Sequence, residues 1–173
     1  MVKIRIILLA LIMVSSVSCG YHLSGRGSYL PTYIKKIAIP IFKNKTQRYE
    51  LEQRLTQAVI NTMIKRGKYQ ITSEEQGADA TLIAEINSFN YVPVQFNADG
   101  SASRYEIIII SQVTLKDNIK NKILFDNPNF TFRSQYDIPE GADITYFDKE
   151  VVAIEEISKN FAETLVSAIL EAF

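Results

Sequence analysis

The chain is poor in the residues that most often carry chemistry. It has one cysteine, Cys19, and one histidine, His22, close together near the start. A lone cysteine excludes an intrachain disulfide. A lone histidine beside it leaves the rest of the chain without an imidazole base for a Ser/His/Asp arrangement. The same shortage removes the usual His and Cys ligand sets for transition metals. The seven glycines are scattered, and Gly25 with Gly27 opens no helical pattern, so there is no phosphate-cradling loop. Nor does either sign of charge dominate: 19 Lys and Arg stand against 19 Asp and Glu, without the basic surplus that nucleic-acid phosphates require. The carboxylate pairs Glu74/Glu75 and Glu155/Glu156 are sequence neighbours, which on a helix do not face each other, and they read as solvated charges. No enzyme, cofactor or nucleic-acid partner is expected from this composition, and no internal repeat or low-complexity tract is present.

What is there begins at the N-terminus. Lys3 and Arg5 precede an unbroken apolar run from Ile6 to Val14, and small residues then lead to Cys19. The run suits a secretory signal and falls well short of the roughly 20 apolar residues a membrane span needs. Residues 1–18 are therefore expected to be removed. The sequence Val17, Ser18, Cys19, Gly20 resembles the bacterial lipobox, in which small residues precede a cysteine that becomes the acylated first residue. Ser16 stands where that motif usually has Leu. Gly20 is not the Asp that often retains lipoproteins in the inner membrane, so an outer-membrane address, lipid-anchored on the periplasmic side, is expected. Losing Lys3 and Arg5 tips the charge balance slightly acidic.

Residues 19–33 mix Gly, Ser and Pro with aromatics and read as an irregular leader, followed by one domain over 34–173. Ile34 to Phe42 reads as a strand that Pro40 confines to a sheet edge or a strand end. Gln47 to Arg66 sets Leu51, Leu55, Ala58, Val59, Thr62 and Met63 on one helical face, with Gly67 as a stop. A short strand is expected at Tyr69–Thr72. Leu82, Ala84 and Ile86 then alternate with Ile83, Glu85 and Asn87, and the parity slips near Ser88, as at a bulge. Turns at 97–100 and 118–121 join this run to Ser103–Asp117 and to Lys122–Tyr136, the last interrupted near Asn127 and Pro128, giving a three-stranded meander. Phe147 to Phe173 reads as a long amphipathic helix with Ile154, Ile157, Phe161, Leu165, Ala168, Ile169 and Ala172 inward. The order predicts an α+β two-layer sandwich: a mostly antiparallel sheet of about four strands with two long helices on one face.

One strand carries more apolar surface than one helical layer can cover. Tyr105, Ile107, Ile109, Val113 and Leu115 can face the helices, whereas Ile108 and Ile110 point the other way, as does Ile83 on the preceding strand. Two readings stay open for these three: a surface for a partner, or a face closed by a loop or buried in the sheet. Most of the aromatics crowding the strands are expected to be core.

Four strings in order, CGYHL (19–23), IAIPIFKNKT (37–46), ADATLIAEI (78–86) and YEIIIISQVTLKD (105–117), resemble the LptE family of lipopolysaccharide-assembly lipoproteins. The likeness runs from Cys19 to Phe173. It implies a sheet with two helices packed against it and a noncatalytic protein that sits in the lumen of the LptD outer-membrane β-barrel. Members plug that barrel, assist its assembly and contact lipopolysaccharide on its way to the cell surface. The resemblance attributes lipopolysaccharide contact to basic residues near a strand-to-strand loop and beyond the sheet. The loop here, Phe96 to Gly100, has no basic residue, and Arg104, Arg133 and Lys149 are the candidates by location and charge. The string IAIPIF followed by Asn44 and Thr46 also suits the LpoB-like activators of cell-wall synthases, which gives an alternative reading.

Overall fold

The computed structural model describes residues 30–66, 68–137 and 146–172, with side chains from residue 154 onward in the last stretch. The signal, Cys19, His22, Gly67 and most of the leader lie outside these residues.

The elements, in chain order, are β1 (Lys36–Ala38), β2 (Lys43–Asn44), α1 (Leu51–Lys65), β3 (Gln70–Thr72), β4 (Ala80–Phe96), β5 (Ala102–Asp117), β6 (Lys122–Asp137) and α2 (Tyr146–Leu170). The three long strands form the expected meander, β4 and β6 each pairing antiparallel with β5. The sheet is larger and more mixed than an antiparallel sheet of about four strands. It has six strands in the order β3-β1-β4-β5-β6, with β2 also on β4, and every pairing of β1, β2 and β3 is parallel. The sequence from Ile34 to Phe42 is not one strand. It pairs over Lys36–Ala38, between β3 and β4, and leaves the ladder before Pro40, which has no N–H to donate. The chain returns to β4 at Lys43. The edges are β3 and β6, and Pro128 sits on the latter, where a missing donor costs little.

The parity slip near Ser88 is a register shift between Ile86 and Ser88, and the break near Asn127 is a shift opposite Ser111 and Val113 that leaves β6 one strand, with a second shift opposite Leu115 and Lys116. Both helices pack on one face. Leu51, Leu55, Val59 and Met63 of α1 and Ile157, Phe161, Leu165 and Ile169 of α2 meet Leu82, Ile86, Ile107, Ile109, Val113 and Leu115 in one core. Phe161 is fully buried, with Phe130 and Phe132 edge-on to it at 5.7 Å each, a geometry that suits aromatic quadrupoles.

The sheet therefore has a base and a tip. The base holds the start of β4, the β5–β6 turn and the chain entering from Leu30; the tip is the β4–β5 hairpin with the end of β6.

Candidate partner and lipid interface

The outer face of the long strands follows from the register. Ile108 lies between Asn90 and Arg133, and Ile110 between Ser88 and Thr131. Both isoleucines are half-buried, although among the described residues no helix covers this face. Ile83 is 41% exposed and pairs with Thr114, so the Glu85/Gln112 rung separates it from Ile110. The structure thus brings Ile108 and Ile110 together and leaves Ile83 apart. Toward the tip Val92, Val94 and Phe96 are exposed, a run of apolar surface that strand alternation alone did not single out.

Arg104 and Arg133 share the outer face with this isoleucine pair. Arg104 is bound by Asp137, and Arg133 Nη1 lies 3.4 Å from Glu106 Oε2. The hydrogen bond from Arg104 holds the Asp137 carboxyl below the usual range, and the same bond raises the guanidinium. These pairs are exposed and screened by solvent, so they hold only weakly and a phosphate can displace the carboxylate. Lys149 falls in the first turns of α2, where side chains lie outside the described residues.

At the base a different cluster forms. The Tyr33 hydroxyl donates to Asp117 Oδ2 at 2.6 Å, while Asp117 Oδ1 accepts from the backbone N–H groups of Ile119 and Lys120 at 2.9 Å. The Lys120 ammonium lies 4.3 Å from the Tyr33 ring centroid, within cation–π range. Burial pushes the Asp117 carboxyl up, but the Tyr33 and backbone hydrogen bonds outweigh it and hold the group below its ordinary value. The same bond, with desolvation, pushes the Tyr33 phenol up to about 12. Nearby Asp79 accepts from the N–H groups of Lys36 and Lys35, which lowers its carboxyl.

On the far side of the helical layer, Gln53, Gln57 and Asn61 of α1 and Glu155 and Lys159 of α2 line an open polar groove. Among the described residues no three His, Cys, Asp or Glu side chains are placed to hold a metal ion, and no helix is long and apolar enough to cross a membrane.

The model of the LptE family, described as lipopolysaccharide-assembly, matches residues 34–169. The chain belongs to the LptE family. No curated protein matches its sequence. Among solved structures, the LptE domain is similar to the PelC dodecamer from Paraburkholderia phytofirmans at 14% identity and a TM-score of 0.53, over 83% of this chain and 94% of that one. It is also similar to a Xanthomonas campestris protein at 13% and 0.54, over 85% and 91%. A lipoprotein B from Nitrosomonas europaea matches at 12% and 0.50, over 84% and 87%. At such identities the likeness speaks for the fold. The LptE family is one of noncatalytic lipopolysaccharide-assembly lipoproteins.

Two features of this LptE domain escape a reading of the sequence. The Tyr33–Asp117 contact joins residues 84 positions apart. Its only local signal is an Asp at the start of a turn, a residue type that caps the N–H groups two and three positions on. The polar groove arises from how two helices lie side by side, which neither helix encodes alone.

Proposed function

We propose that this chain is an outer-membrane lipoprotein, anchored through Cys19 after removal of residues 1–18, that occupies the lumen of the LptD β-barrel and assists its assembly. In this reading residues 19–33 are the lipidated leader and residues 34–173 the plug, which acts in lipopolysaccharide transport without catalysis. The single observation that carries it is the family match over 34–169. The one-sided helical layer supports it, because a protein enclosed by a barrel can bury outer-face residues such as Ile108 and Ile110 that a free monomer would show to water. Direct contact with lipopolysaccharide phosphates is assigned to Arg104, Arg133 and Lys149. The two arginines sit on that outer face in weak ion pairs that a phosphate can replace.

Depletion tests the role. The expected result is less lipopolysaccharide at the cell surface and barrel left misassembled. Altered peptidoglycan with normal surface lipopolysaccharide would instead favour the synthase-activator reading and overturn this one.

A further inference from the structure

The β5–β6 turn at the base is built in an unusual way. Ile119 is 57% exposed in the turn itself, where Asn, Asp, Gly or Ser would be ordinary, and Ile123, on the first rungs of β6, is 61% exposed. The turn is also held firmly. Asp117 caps its N–H groups, Asn118 Nδ2 donates to the Ala78 carbonyl at 3.0 Å and to Thr81 Oγ1 at 2.9 Å, and the Asn118 N–H donates to the Asp79 carbonyl at 2.8 Å. Asn121 takes a left-handed backbone, φ 51°, to close it. Two isoleucines are thus fixed outward rather than free to fold back.

Lysines surround them. Lys116 pairs directly across from Ile123, Lys122 pairs with Asp117, and Lys120 lies over Tyr33. Lys35 and Lys36 enter at the same end. Asp117 and Asp79 spend their oxygens on N–H and O–H donors. The exposed acids nearby are Glu74 and Glu75, on the β3–β4 connection, and Asp126 on β6, which accepts from Thr114 Oγ1 at 2.8 Å; the five lysines outnumber these three. Apolar side chains ringed by ammonium groups match the chemistry of an anionic lipid surface.

The leader supplies the direction. Leu30 is buried in the core and Tyr33 is bonded to Asp117 beside the turn. From Cys19 to Leu30 the chain can extend at most roughly 40 Å. A lipid on Cys19 would therefore hold this end, and not the hairpin tip, nearest the bilayer.

We propose that residues 116–123 form a second membrane contact that docks on anionic phospholipid, with Ile119 and Ile123 entering the interface and Lys116, Lys120 and Lys122 meeting the headgroup phosphates. One lipid attachment and one basic, apolar surface then act together and fix how the domain stands on the membrane. The direction of approach rests on lipidation of Cys19; the surface itself does not.

The test uses the mature chain, residues 19–173, carrying Cys19→Ser so that no lipid is attached. It is sedimented with phosphatidylethanolamine vesicles containing phosphatidylglycerol and, in parallel, with phosphatidylcholine vesicles. The expected result is salt-sensitive binding to the anionic vesicles only, weakened at least about tenfold by Ile119→Ser with Ile123→Ser, and about tenfold by Lys116→Gln with Lys122→Gln, with unchanged melting temperatures. Equal sedimentation of all three proteins, no sedimentation of any, or binding that inorganic phosphate abolishes while the isoleucine changes leave it intact would overturn the proposal. An unmodified Cys19 in the cellular protein, by intact mass, would remove the anchor without touching this result.

Discussion

Asp117 shows at the scale of one residue how this domain is sensitive to pH. Its carboxylate is fully buried and accepts from Tyr33, Ile119 and Lys120. Replacing it with Ala would strand those donors and is expected to cost about 2 kcal/mol. The carboxyls of Asp117 and Asp79 both lie below the ordinary 3.8 in the folded chain. Their stabilisation is therefore complete above that value and is lost as pH falls through the lower folded values. Tyr33 behaves in the opposite sense. Its phenol is raised from 10.0 to about 12, so its contribution is complete below pH 10 and is lost as pH rises toward 12. Urea titrations across pH should give a plateau between these limits, with Asp117→Asn flattening the acid limb and Tyr33→Phe the alkaline limb. Unchanged limbs in both variants would contradict the pairing.

At the scale of elements, much was legible in the sequence, and the misses have identifiable causes. Strict alternation through Leu82, Ala84 and Ile86 gave the strand and its buried side, and the slip to Phe89 and Tyr91 gave the bulge. Helical spacing gave the inner faces of α1 and α2, and Phe161, Leu165 and Ile169 are buried as expected, whereas Ala172, expected inward, is exposed past the end of α2 at Leu170. The short strand β3 was expected within a residue of its bounds, whereas β2 was missed because two residues carry no periodicity, and the parallel pairing of β1, β2 and β3 depends on distant partners. The start of α1 was placed too early, at Gln47. Asn44, Thr46 and Arg48 instead form a hydrogen-bonded turn, and Glu50 adopts a left-handed conformation, φ 59°, with no side-chain cap bond. A side chain is strained there, by about 1 kcal/mol. Glu50→Gly relieves this and loses only an exposed pair with Arg54 worth about 0.3–0.5 kcal/mol. The variant should therefore be more stable, by about 0.5 kcal/mol in urea titration, and a clear loss of stability would count against the cap assignment.

At the scale of the whole molecule, the helices close one face of the sheet and leave the other to Ile108, Ile110, Arg104 and Arg133. The sequence exposed this surplus because Ile108 and Ile110 interrupt the polar side of an alternating strand. It did not show that Ile83 stands a rung away, that Val92, Val94 and Phe96 extend the apolar surface to the tip, or that both arginines already hold carboxylates. Those facts depend on register and on cross-strand partners. The most direct test of the account is recovery of barrel protein from outer membrane in mild detergent. The chain should bring down LptD, and a folded Ile108→Glu, Ile110→Glu variant should bring down at least about tenfold less, because each new carboxylate would have to be desolvated at the contact. Recovery of no barrel by the unaltered chain would contradict it.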